Sequence, residues 1–99
     1  MDRQVQETTS AAHPLLGKVA VVTGSTSGIG FGVARAFASA GAHVVINGLA
    51  EQREVDFVCS ELEKANPASR VVYNGANLMK PDEASGLVAD TIHQVQEGA

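Results

Sequence analysis

The chain has 99 residues, 44% hydrophobic and 18% charged, with a formal net charge of −4. These are the values of one globular domain, neither disordered nor fibrous. The mild acidity and the scattered basic residues argue against nucleic acid or an anionic membrane as partner, because both require a basic surface.

Residues 1–14, MDRQVQETTSAAHP, carry Asp2 and Glu7 and no apolar block. They lack the pattern of a signal or transit peptide and read as a flexible tail, which leaves 15–99 as the folded unit. Residues 18–23 form a short apolar run with β-branched Val19, Val21 and Val22, bounded by Gly17 and Gly24. That is the pattern of a strand buried on both faces. From Gly28 onward, Ile29, Val33, Ala36, Phe37 and Ala40 recur at helical spacing, and Gly41 is a stop signal. Residues 42–46, AHVVI, read as a second strand. Asn47-Gly48 can close a hairpin, but a helical pattern follows it here, so it reads as a strand-to-helix loop.

In residues 51–66, Val55, Val58, Cys59 and Leu62 make an apolar stripe, while Glu51, Glu54, Glu61 and Lys64 face away. Acids near the start and Lys64 near the end suit the helix dipole. Residues 70–73 are a third short strand, and NGANLMKP is a polar loop. Pro81 or Asp82 then opens a helix whose stripe is Ala84, Leu87, Val88, Thr91, Ile92 and Val95. No apolar stretch reaches the ~20 residues of a membrane-spanning helix.

The order β-α-β-α-β-α predicts an α/β fold with a parallel sheet. Right-handed crossovers put the first two helices on one face and the strands in the order 3-2-1. This is the amino-terminal half of a Rossmann doubly wound sheet, and 15–99 is expected to be a partial dinucleotide-binding domain. The last helix leads toward a strand on the far side of the first, and the 99 residues contain none. The first strand is then an edge, open to association with other chains, a full-length relative among them.

The stretch VAVVTGSTSGIGFGVARAF, residues 19–37, turns a strand into a helix through glycines 24, 28, 30 and 32. The first N–H groups of a helix have no partner within it, and with the helix dipole they form an anion site. Gly24 permits the tight turn, Gly28 lets a phosphate approach the backbone, and Gly30 lets helix and strand pack closely. The hydroxyls of Ser25, Thr26 and Ser27 can add donors. A P-loop is excluded, since no lysine lies between 19 and 63. A G-x-G-x-x-G starting at Gly28 fails at Val33. What stands here is T-G-x-x-x-G-x-G, from Thr23 to Gly30.

With those residues in place, the chain resembles the short-chain dehydrogenases/reductases. KVAVVTGSTSGIGFGVARAFASAGAHVVING is similar to their amino-terminal segment nearly throughout, and the resemblance spans about residues 15–94. VTGSTSGIG, the NG after the second strand and the GANL after the third together look most like the D-3-hydroxybutyrate dehydrogenase branch. The resemblance implies NAD(P) binding, with the pyrophosphate at 24–30 and contacts from Gly24, Thr26, Ser27, Gly28, Ile29 and Gly30. It implies that Asn77 and Leu78 lie along the adenine, with Asn77 standing where the family usually has Asp. The ribose is read about 20 residues beyond the glycine turn. There Asn47-Gly48-Leu49 offers neither a carboxylate nor an arginine, and the expectation is NAD, with NADP left open.

The family's catalysis uses a serine and a Tyr-x-x-x-Lys pair. The single tyrosine is Tyr73, and four residues on stands Asn77, so no catalytic residue is assigned and no turnover is expected of these 99 residues. His13, His43 and His93 show no metal spacing. Cys59 reads as a core residue, and a lone cysteine fits a reducing, cytoplasmic setting. The alternative to the cofactor-binding part of an oxidoreductase is a non-catalytic truncated isoform that binds or regulates, or a product without function of its own.

Overall fold

The computed structural model describes residues 13–98, with side chains through Thr91. The tail expected over 1–14 lies outside the described residues except for His13 and Pro14. The elements follow in the order β1 (Val19–Val22), α1 (Gly28–Ser39), β2 (His43–Asn47), α2 (Gln52–Ala65), β3 (Val71–Asn74) and α3 (Pro81–Gly98). The three strands form one parallel sheet in the order β1-β2-β3, which from the other edge is the expected 3-2-1. Val19 pairs with His43 and Val22 with Ile46, while Val44 pairs with Val71 and Asn47 with Asn74.

Side chains alternate across a strand, so β2 serves two cores. Val44 and Ile46 face α1 and α2, in a cluster with Val22, Ala34, Ala38, Val55, Val58 and Leu62. Val45 faces the other way and meets Leu87 of α3, with Ala76 beside it. Val44, Val45 and Ile46 are all 0% exposed, as expected of a central parallel strand covered on both sides.

Helix α2 buries Val55, Val58 and Leu62, three members of the stripe read from the sequence. Its start carries more than favourable charge. Glu51 accepts the Glu54 N–H, and Glu54 Oε1 accepts the Glu51 N–H at 3.0 Å, a reciprocal capping box built from two glutamates. At the other end Asn66 Nδ2 donates to the Ala38 carbonyl at 3.0 Å, tying α2 to the end of α1. Cys59 is half-buried beside this stripe. Burial pushes its thiol up, and the Glu63 and Asp56 carboxylates push it further, so little thiolate forms near neutrality.

Three expectations need correction. The core-facing residues of α1 are Ala34 and Ala38, with Phe31 and Phe37 packed alongside, whereas Ile29 is 88% and Val33 39% exposed. The small alanines let the helix lie close on β1 and β2, and the Phe31 ring reaches Phe57 of α2 at a centroid separation of 6.2 Å. Strand β1 is not buried on both faces. Val19 and Val21, 44% and 43% exposed, share the α3 face of the sheet, and α3 packs over β2 and β3 instead. In α3, Leu87 and Thr91 are buried but Val88 is 64% exposed. The side chains of Ile92 and Val95 lie outside the described residues. Among the described residues no helix is long and apolar enough to cross a membrane.

Candidate functional site

A parallel sheet brings the carboxyl ends of its strands to one edge, where ligands of open α/β sheets bind. Here that edge carries the loops after β1, β2 and β3. All eight residues singled out in the sequence lie on it: Gly24, Thr26, Ser27, Gly28, Ile29 and Gly30 in the first loop and turn of α1, Asn77 and Leu78 in the loop after β3.

The first loop is shaped by its glycines. Gly24 and Gly28 have φ of 62° and 59°, a region that other residues enter at a cost. A Cβ on either would meet nothing within 4 Å, so the approach to this backbone is open. Gly30 is different. A Cβ there would overlap the Gly24 carbonyl oxygen and lie 2.7 Å from its carbon, so α1 starts directly against the turn. Ser27 is the N-cap in an extended conformation, φ −162°, and its side chain makes no capping bond. The N–H groups of residues 28–30 are therefore without intrahelical partners and without a cap, which is the electrostatic arrangement of an anion site.

Ser25 does not join it. The sequence placed its hydroxyl among the ligand donors, but Ser25 is 0% exposed. Its Oγ accepts the Asn47 N–H at 2.9 Å, and its own N–H donates to the Asn47 carbonyl at 2.8 Å. Thr26 is half-buried against the second loop: its Oγ1 stands 2.6 Å from where a Cβ of Gly48 would be. Ser27 and Ile29 are exposed.

In the third loop Asn77 is half-buried and Leu78 42% exposed. The Asn77 N–H donates to Glu83 Oε1 at 2.8 Å, and its Oδ1 accepts the Met79 N–H at 3.0 Å. One lone pair of that oxygen is thus committed to the loop, leaving the other and the amide group for a ligand.

Two residues that hold the edge together were not recognised in the sequence. Asn47 is 2% exposed, and its Nδ2 donates to the Asn74 and Ala76 carbonyls at 2.9 and 3.0 Å. Tyr73 donates its hydroxyl to the Gly48 carbonyl at 2.7 Å. Asn47 had a weak signal, a polar residue closing an apolar run. Tyr73 had none, since its partner is fixed by sheet register. His43 serves the sheet rather than the site, its Nδ1 accepting the Arg70 N–H at 2.9 Å. Among the described residues no three His, Cys, Asp or Glu side chains gather as a metal site.

Parallel β-α-β units, a glycine turn and an uncapped helix start at the carboxyl edge of the strands define a Rossmann-type dinucleotide-binding unit. Residues 18–97 match the short chain dehydrogenase family, and the chain belongs to that family, whose members are NAD(P)-using oxidoreductases. It is 42% identical over 74 residues to a D-beta-hydroxybutyrate dehydrogenase of Cupriavidus necator, covering 75% of this chain and 28% of that protein. It is 50% identical over 79 residues to human dehydrogenase/reductase SDR family member 4, covering 80% of this chain and 27% of that protein. The fold matches a short-chain type dehydrogenase/reductase from Mycobacterium marinum with TM-score 0.76 and 25% identity, over 90% of this chain and 35% of that one. It also matches L-sorbose reductase from Gluconobacter frateurii, solved with NADPH and L-sorbose, with TM-score 0.70 and 30% identity over 81% of this chain and 29% of that one. The chain thus spans roughly a quarter to a third of the length of these relatives.

Proposed function

We propose that the chain is the cofactor-binding part of an oxidoreductase that interconverts a hydroxyl and a carbonyl, with NAD as cofactor and a small hydroxy acid such as 3-hydroxybutyrate as the whole protein's substrate. The observation that carries this is the uncapped start of α1 behind the open backbone of Gly24 and Gly28. In that reading the N–H groups of residues 28–30 hold the pyrophosphate, Thr26, Ser27 and Ile29 line its path, and Asn77 and Leu78 flank the adenine. NAD is favoured over NADP because Asn47-Gly48-Leu49 contains no arginine to hold a 2′-phosphate. The hydroxybutyrate assignment rests on the Cupriavidus necator relative.

The same reading makes the 99 residues a binder without turnover. The bound nicotinamide would supply the hydride chemistry, but Tyr73 is followed four residues on by Asn77 rather than lysine, so no acid/base pair of the family's kind is present. Titration calorimetry of the 99-residue chain is expected to show NAD binding, and an absorbance assay with NAD and 3-hydroxybutyrate is expected to stay flat. Absence of binding sinks the first statement, and steady NADH formation sinks the second.

A second reading, a module that associates through its sheet, is favoured by β1. This strand is at an edge among the described residues, and Val19 and Val21 are exposed on it. Exposed apolar edges recruit further strands. Sedimentation of the 99-residue chain is then expected to show concentration-dependent association that Val21→Lys weakens. A monomer at all concentrations excludes this second reading.

A further inference from the structure

We infer that Tyr73 is a positioning residue for the cofactor site, holding the loop after β2 in place through its hydroxyl; this rests on the dinucleotide reading above. Tyr73 stands in β3 opposite Ile46, on the sheet face covered by α1 and α2, and its ring packs at the margin of that core. The hydroxyl reaches past the end of β2 and donates to the Gly48 carbonyl at 2.7 Å. The ring also leans on the loop after β3: a Cβ on Gly75 would lie 3.0 Å from the hydroxyl oxygen and 3.3 Å from Cε2. A Cβ on Gly48 would in turn lie 2.6 Å from Thr26 Oγ1, so the Gly48 peptide sits tightly against the first loop. One phenol therefore ties the second loop to the third, and the Gly48 peptide it holds abuts the first.

The position of this coupling gives it a function. The loop after β2 is where a Rossmann unit reads the adenosine ribose, ordinarily with a carboxylate. Here Asn47-Gly48-Leu49 has no carboxylate, and the Asn47 side chain is turned inward onto Asn74 and Ala76. What the loop offers a ribose at Gly48 is backbone. A backbone group binds well only if it is already held in place, because ordering it on binding costs affinity. Tyr73 supplies that order.

Tyr73→Phe removes the hydroxyl and keeps the ring. In the variant, amide exchange at Gly48 and Leu49, followed by NMR, is expected to quicken. NAD and AMP are expected to bind roughly three- to tenfold more weakly, the scale of one neutral hydrogen bond. Inorganic pyrophosphate, which needs only the loop at 24–30, is expected to bind as before. Tyr73 is the single tyrosine, so fluorotyrosine labels it alone. In the otherwise unaltered chain its fluorine resonance is expected to shift on adding AMP and to stay put with pyrophosphate. Equal weakening of all three probes marks a merely structural residue and overturns the inference, as does unchanged exchange at Gly48 or a fluorine resonance indifferent to AMP. If the unaltered chain takes none of the three probes, the dinucleotide reading fails by itself. Exchange at Gly48 in the variant then decides whether the phenol orders the loop.

Discussion

Gly30→Ala is expected to lower the stability of the chain by about 3 kcal/mol, the upper part of the range for overpacking, and to abolish NAD binding with it. The added methyl overlaps the Gly24 carbonyl and crowds the Ser25 Cα, all of it backbone that cannot rotate aside. Relief requires α1 to lift off the turn. That helix contributes Ala34 and Ala38, both 0% exposed, to the main core, so lifting it opens the core as well as the proposed anion site. A domain of this size has only about 5–15 kcal/mol in total. Gly32→Ala is the matched control. Two positions along the same helix, a Cβ meets nothing within 4 Å, and alanine is expected to stabilise by about 0.5–1 kcal/mol. Urea unfolding midpoints of the two variants should move in opposite directions. Equal midpoints would show that the close approach at Gly30 carries no weight.

Asn47→Leu is expected to cost about 2–4 kcal/mol although it preserves size and enters an apolar strand. The Asn47 amide supplies two hydrogens to the Asn74 and Ala76 carbonyls, at 2.9 and 3.0 Å, in a site that is 2% exposed. Leucine strands both carbonyls, and each buried group left without its partner costs about 1–3 kcal/mol. The damage reaches the neighbouring loops, because the Asn47 backbone is also bonded to Ser25 and Asn74 Oδ1 accepts the Ala76 N–H. Asn47→Asp tests the direction of those bonds. An ionised carboxylate would point oxygen at two carbonyls, so burial and repulsion raise its folded pKa above the ordinary ~3.9. The unfolded chain then releases the proton first, and the stability of Asn47→Asp falls relative to the unaltered chain as pH rises above that value. A pH-independent difference in unfolding midpoint between the two would refute the assignment of Asn47 as donor.

The parts of this molecule that were legible in its sequence are those where one signal dominates. Helix α2 has a single apolar stripe, so Val55, Val58 and Leu62 could be placed inward from spacing alone. The glycine turn could be placed because a strand run and a helical run flank it. Helix α1 departs from its expected inward face because it has two apolar stripes. Ile29, Val33, Ala36 and Ala40 compete with Phe31, Ala34 and Ala38, while Phe37 of the expected stripe does pack against the core. The sheet instead selects the alanines, which permit a closer approach. Strand β1 was misjudged for a related reason: its composition is that of a central strand, while its burial depends on what lies next to it. The bonds of Ser25 and Tyr73 leave no local trace, and Asn47 shows only as a polar residue closing an apolar run, because their partners lie 22 to 29 residues away and meet them only through strand register.

The position of β2 also governs how the chain comes apart. Both crossovers, β1-α1-β2 and β2-α2-β3, close upon the same strand. Neither can dissolve its seam against β2 without exposing a cluster to which the other contributes, so the two are expected to behave as one cooperative foldon with β2 as its last protected segment. Helix α3 stands outside that unit. Among the described residues its apolar hold on the sheet is Leu87 on Val45, supplemented by a 3.4 Å bond from Asn74 Nδ2 to Asp90. On those contacts partial unfolding is expected to begin at α3 and to lay bare the sheet face that β1 already exposes.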